Sequence, residues 1–279
     1  MCTQKITHTL LWLAVGASTL CASSLMALNA QEPWQAKPEL VKKLSANRAE
    51  FNYVEEKVPE YTLPDPLVMA SGERVTSVDA WQAQRRPELM ELFRSQLYGR
   101  RPASEYQLEF MEEGRQADVF GGLGTGVSLR AVVSIGSRQY SFPFTAFFPK
   151  TDKPVPGVIL INNRYFTPLE KAISEQDDFW PVETLLQRGY ATASFHTSDV
   201  DPDKADGYAA GIRGFFADGQ PPADDAWRSL SAWGWAASRL LDYFEQRDEV
   251  DATRVAVVGH SRGGKTALWA AAEDERFAI

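Results

Sequence analysis

The sequence predicts an α/β fold of three layers, with a largely parallel sheet between helices. Three observations carry this. After Lys150 the chain alternates apolar runs with amphipathic ones, in the rhythm strand, helix, strand, helix, which is the rhythm of βαβ units. Before Lys150 lie three β-branched and aromatic runs with no helical pattern between them, as expected of strands joined by turns. The last apolar strand runs into Gly259-His260-Ser261-Arg262-Gly263 and then a helical pattern, so a G-x-S-x-G sits at a strand-to-helix turn.

The elements follow in order. Residues 1–30 have one early cation, Lys5, an apolar stretch from Leu10 and a small-residue end, with no acid before Glu32. This is the anatomy of a secretory signal peptide, with cleavage expected after Ala30 and a secreted or periplasmic product. Both cysteines, Cys2 and Cys21, fall within it, so the mature chain is expected to use no disulfides. Residues 31–78 are proline-spotted and read as an extended wrap over the surface of one domain spanning 31–279. Asp79 to Leu97 has helical spacing at Leu89, Leu92, Phe93 and Leu97, and Tyr98-Gly99 ends it. The three strand-like runs start at Tyr106, Val127 and Gln139. The Gly-rich stretch 121–126 mimics a dinucleotide fingerprint, but it opens no helix and reads as a hairpin connection.

In the second half, strands are expected at 157–163, 190–196 and 254–261. Helices are expected at 181–189, closed by Gly189, at 224–246 with Asp224 and Asp225 at its start, and at 265–277. The run Asp199, Asp201, Asp203, Asp206 imitates a calcium loop, but Lys204 and Ala210 stand where that loop needs glycine and glutamate. It reads as a solvated loop over the active-site edge, and no metal is expected. The net charge of -8 argues against a general nucleic-acid binder. Outside the leader, no run approaches the roughly 20 apolar residues that span a bilayer.

The elbow carries the chemistry. Its glycines permit the tight turn that lifts a serine hydroxyl above the sheet edge, which makes Ser261 the candidate nucleophile. The backbone N–H of Arg262 is the expected half of an oxyanion hole, and the other donor is expected somewhere in residues 162–166. Arg262 and Lys265 both fall in the first helical turn, where a cation opposes the dipole. That placement points to a negative or oxygen-rich ligand. His260 is expected to face back into the sheet, away from the serine. His196 ends a strand on the same edge but precedes the serine, whereas the order in such folds is Ser, acid, His.

At these residues the chain resembles the glucuronoyl esterases of carbohydrate esterase family 15, above all the bacterial ones. The likeness runs from about Tyr61 to the end and includes "RRPELMELFRSQLYGRRP", "SDVDPD", "AWGWAASRLLDYFE" and "VGHSRGGKTALWAAAEDERFA". The family signature G-C-S-R-x-G-K is matched at Ser261, Arg262, Gly264 and Lys265, with His260 in place of the cysteine. The resemblance implies an α/β-hydrolase fold with Ser261 as nucleophile, Arg262 assisting the oxyanion and Lys265 contacting sugar hydroxyls. It implies cleavage of 4-O-methyl-glucuronoyl esters that join xylan to lignin alcohols, without a cofactor; the chain is expected to act as a monomer. The family's acid and histidine follow the nucleophile, on stretches that these 279 residues do not contain. The fold is therefore expected to be incomplete at its C-terminal side, with the base beyond Ile279, and the chain itself to be a very poor esterase. Two other readings stand beside it: another ester hydrolase such as an acetylxylan esterase, and a non-catalytic carbohydrate-binding relic.

Overall fold

The structure is a computed structural model that describes residues 36–48, 50–204 and 207–279. The expected signal peptide lies outside these residues. The described residues divide into two units, one up to Leu63 and one from Pro64 to Ile279. In the first, Pro38–Ser45 forms helix α1 and Glu55–Lys57 a 3-10 turn, and most of its other described residues have no regular secondary structure. The expected wrap thus contains an α-helix, started by the fixed φ of Pro38 at its first position.

The second unit holds the sheet. A helical run begins with Val78–Ala80, capped by the Ser77 side chain. It passes through α2, Arg86–Phe93, flanked by the π-helical turns Trp81–Arg85 and Arg94–Tyr98. Strands β1 (Gln107–Asp118), β2 (Gly124–Ile135) and β3 (Arg138–Pro149) form an antiparallel meander. The connection from β1 to β2 is residues 119–123, so Gly121 and Gly122 of the Gly-rich stretch lie in it as expected, whereas Gly124, Thr125 and Gly126 already belong to β2. Strands β4 (Val155–Asn162), β5 (Ala191–His196) and β6 (Val250–Gly259) complete one sheet in the order β1-β2-β3-β5-β4-β6. Strand β4 lies parallel to β5 and β6, and β3 meets β5 antiparallel. The change of direction at β3/β5 reflects the change of rhythm near Lys150.

Helices cover both faces. Alternate residues of a strand face opposite sides, so Ile159 and Ile161 of β4 join one buried cluster and Leu160 the other. On the second side pack α3 (Leu169–Ser174) and α4 (Val182–Gln187). Helix α5 (Ile212–Ala217) follows β5 in the chain. On the first side pack α6 (Ser229–Glu245) and α7 (Arg262–Glu273). Helix α6 starts at Ser229 rather than Asp224. Asp225 is instead spent on Arg100, whose Nε donates to its carboxylate at 2.7 Å and whose backbone N–H donates to its carbonyl. Helix α7 starts at Arg262, three residues before the expected position.

The loop after β5 is fixed by a buried charge. Asp201 is fully buried and accepts from Arg213 Nε on both carboxylate oxygens at 2.9 Å. The Trp233 indole donates to the Asp201 carbonyl at 2.9 Å. The Tyr140 hydroxyl is shared between the carbonyls of Asp199 and Val200, and burial above all pushes its pKa up. Asp201→Ala is expected to strand the Arg213 charge and to cost roughly 3–5 kcal/mol in denaturant unfolding. A loss below about 1 kcal/mol would contradict this role.

Candidate active site

Three strand ends meet at one sheet edge. Asn162 of β4 stands opposite His196 of β5, and Ile161 opposite Gly259 of β6. Beyond Gly259 the chain turns at once into α7. A Cβ on Gly259 would lie 2.3 Å from the Gly263 carbonyl, and one on Gly263 would lie 2.9 Å from the Ile161 carbonyl oxygen. Only glycine tolerates that approach. The turn leaves Ser261 at φ 56° and ψ -117°, a left-handed conformation that a side-chain-bearing residue rarely adopts. Ser261 is exposed at the sheet edge. This is the strained strand-to-helix turn expected from the motif.

Arg262 is the first residue of α7, so its N–H has no acceptor within the helix. Its guanidinium pairs with Asp203 of the loop after β5. Lys265 follows one turn later, with its backbone N–H on the Ser261 carbonyl at 3.1 Å. Its side chain is exposed and has no ion-pair partner among the described residues. The two cations thus occupy the first turn, as the sequence implies, but one is already matched by a carboxylate.

The loop after β4 lies against the elbow, with Asn163 beside Gly263. The buried Asn162 Oδ1 accepts the N–H groups of Arg164 at 2.9 Å and of Tyr165 at 3.3 Å. Those two amides are spent, which removes them from the candidate oxyanion donors in 162–166. The Arg164 guanidinium stacks 3.9 Å over the Phe179 ring, and His260 meets the same ring edge-on. His260 is exposed. It faces Phe179 rather than the sheet interior, because the elbow carries it out beyond the end of β6. The Tyr165 hydroxyl donates to Asp177 at 2.9 Å, and this bond pushes its pKa up.

His196 reaches the same edge, two strands from β6 and so about 10 Å away in backbone terms. Its Nδ1 lies 3.5 Å from the Asp199 carboxylate. Among the described residues no histidine hydrogen-bonds to Ser261. The acidic run does not converge on a point: Asp199 faces His196, Asp201 takes Arg213, and Asp203 takes Arg262. Asp206 lies outside the described residues. The partnership of Asp203 with Arg262 and the stack of Arg164 on Phe179 are not written in local spacing. Each joins residues well separated in the chain.

The sequence profile of fungal glucuronyl esterases matches residues 132–279, more than half of the chain. The chain belongs to the glucuronyl esterase family. It is 32% identical over 262 residues to a carbohydrate esterase from an unknown prokaryotic organism, covering 82% of this chain and 60% of that one. Its fold superposes on the glucuronoyl esterase from Solibacter usitatus with a TM-score of 0.72 at 32% identity, covering 80% of this chain and 63% of that one. It also matches a serine-to-alanine variant of the Sporotrichum thermophile glucuronoyl esterase in complex with methyl 4-O-methyl-β-D-glucopyranuronate. There the TM-score is 0.56 at 26% identity, with 78% of this chain and 51% of that one covered. The chain therefore spans between half and two thirds of the length of these relatives. Membership makes the α/β-hydrolase assignment firm, and the mixed sheet between two helical layers agrees with it.

The backbone at position 261 yields a stability prediction. Ser261→Gly should be more stable than Ser261→Ala by about 1 kcal/mol in denaturant unfolding. Relief of left-handed strain outweighs the extra unfolded-state freedom of glycine. Equal stability of the two variants would show that the turn is unstrained.

Proposed function

We propose that this segment carries the nucleophile half of a serine esterase that cleaves 4-O-methyl-glucuronoyl esters, the linkages between glucuronoxylan and lignin alcohols. The observation that supports it most is the strained Ser261 at the mouth of the sheet, one residue before a helix N-terminus. Ser261 attacks the ester carbonyl. The developing oxyanion is met by the Arg262 N–H and an amide of the loop after β4, with the Arg262 guanidinium nearby, where preorganised donors act most strongly. Lys265 reads the sugar hydroxyls from the next helical turn. The signature match at Ser261, Arg262 and Lys265 supports the same roles. The protein is proposed to act outside the cytoplasm as a monomer after removal of residues 1–30. Among the described residues no helix is long and apolar enough to cross a membrane.

A serine hydroxyl needs a base, and neither His196 nor His260 is bonded to Ser261. The 279-residue chain by itself is expected to retain at most the roughly 10³–10⁴-fold acceleration over water that binding and oxyanion stabilisation give without a base. The assay uses a methyl glucuronate ester and a simple acetyl ester, with Ser261→Ala as control. Lys265→Ala should weaken the glucuronate ester selectively by about 1.5 kcal/mol, the lower end for a hydrogen bond to a charged group because Lys265 is exposed. Equal losses on both esters would remove Lys265 from sugar recognition. Rates normal for an enzyme, abolished by His196→Ala, would make His196 the base and contradict the expectation that neither histidine among the described residues serves Ser261.

A further inference from the structure

The loop after β5 has no part in the chemistry outlined above, yet its first residues, through Asp201, are firmly anchored. Asp201 is buried on Arg213 and Trp233, and Tyr140 holds the two residues before it. Two residues beyond this anchor, the Asp203 carboxylate lies against the Arg262 guanidinium, with the arginine 57% and the aspartate 33% exposed. The carboxylate is thus delivered to the cation adjoining the nucleophile. It also lies beside the positive end of α7, where a negative charge is favoured and an unmatched arginine is not.

The chemistry at Ser261 changes the sign of what the site holds. An ester is uncharged, and its hydrolysis releases a carboxylic acid that is ionised at neutral pH. Arg262, Lys265 and the helix end would together retain that anion. An exposed ion pair of this kind is weak and screened by salt.

We propose that Asp203 is a positioning residue that holds the Arg262 guanidinium beside the elbow and offsets its charge, so that the site favours an uncharged ester over the carboxylate released from it. The inference rests on reading Ser261 as the nucleophile toward a uronate ester. Its consequence is selectivity by charge: removing the Asp203 carboxylate strengthens the hold on anions and leaves neutral ligands unaffected.

The test is calorimetric titration of the whole 279-residue chain with glucuronate, its uncharged methyl ester and acetate. Wild type is compared with Asp203→Asn and Asp203→Glu. Asp203→Asn should bind glucuronate about two- to fivefold more tightly, the range of a partly exposed charge pair. The methyl ester should be unchanged, Asp203→Glu should keep the wild-type ratio, and the gain should shrink at about 0.5 M salt. If neither sugar binds any form while acetate tightens on Asp203→Asn, the charge offset stands and the uronate reading falls. If no carboxylate gains affinity, or if acid and ester shift together, the proposal is overturned. Should Asp203→Asn prove unstable, Asp203→Ser carries the same comparison.

Discussion

The close passage of the end of β6 against the first turn of α7 is the constraint on which the candidate site depends. Gly259 and Gly263 let backbone meet backbone where a Cβ would collide. The chain must then reverse from strand to helix within two residues, His260 and Ser261, and Ser261 takes the left-handed conformation that results. Strain of this kind, of order 1–3 kcal/mol, persists only where the surroundings over-determine it. Here they do, because β4 holds β6 in register and α7 packs beside α6 on the same face. The serine hydroxyl and the first helical amides therefore share one edge before any ligand arrives.

Charge is organised around that edge. Arg262 and Lys265 stand against the dipole of α7, and Arg164 stacks on Phe179 across from His260. Of these three cations, only Arg262 is ion-paired to a carboxylate among the described residues, and that partner comes from a loop with a buried anchor. The arrangement suits the proposed reaction, which begins with a neutral ester, passes through an oxyanion and ends with a carboxylate. His260, standing where the family signature has cysteine, packs against Phe179 and links the elbow to the segment that carries Arg164.

Much of this was legible in the sequence because periodicity and glycine placement are local properties. All six strands were readable from apolar and β-branched runs, and the elbow from five residues in context. The start of α6 was not. Asp224 and Asp225 suit a helix N-terminus, but Arg100, far away in the chain, draws Asp225 into an extended pairing. Helix α1 was hidden by its proline-rich surroundings, although Pro38 is a good first helical residue. The orientation of His260 and the partner of Arg262 depend on how remote loops fold over the sheet edge. No spacing rule reports that.

The most direct measurement is the backbone conformation at Ser261 in crystals of Gly259→Ala, with Gly234→Ala as control. A Cβ on Gly234 would meet nothing nearer than 3.5 Å, so the control should leave the elbow intact. Gly259→Ala is expected to push the first turn of α7 away from β6 and to let Ser261 relax to negative φ. A Ser261 that keeps its left-handed φ in the Gly259→Ala variant would show that something other than the glycine contact holds the serine in place.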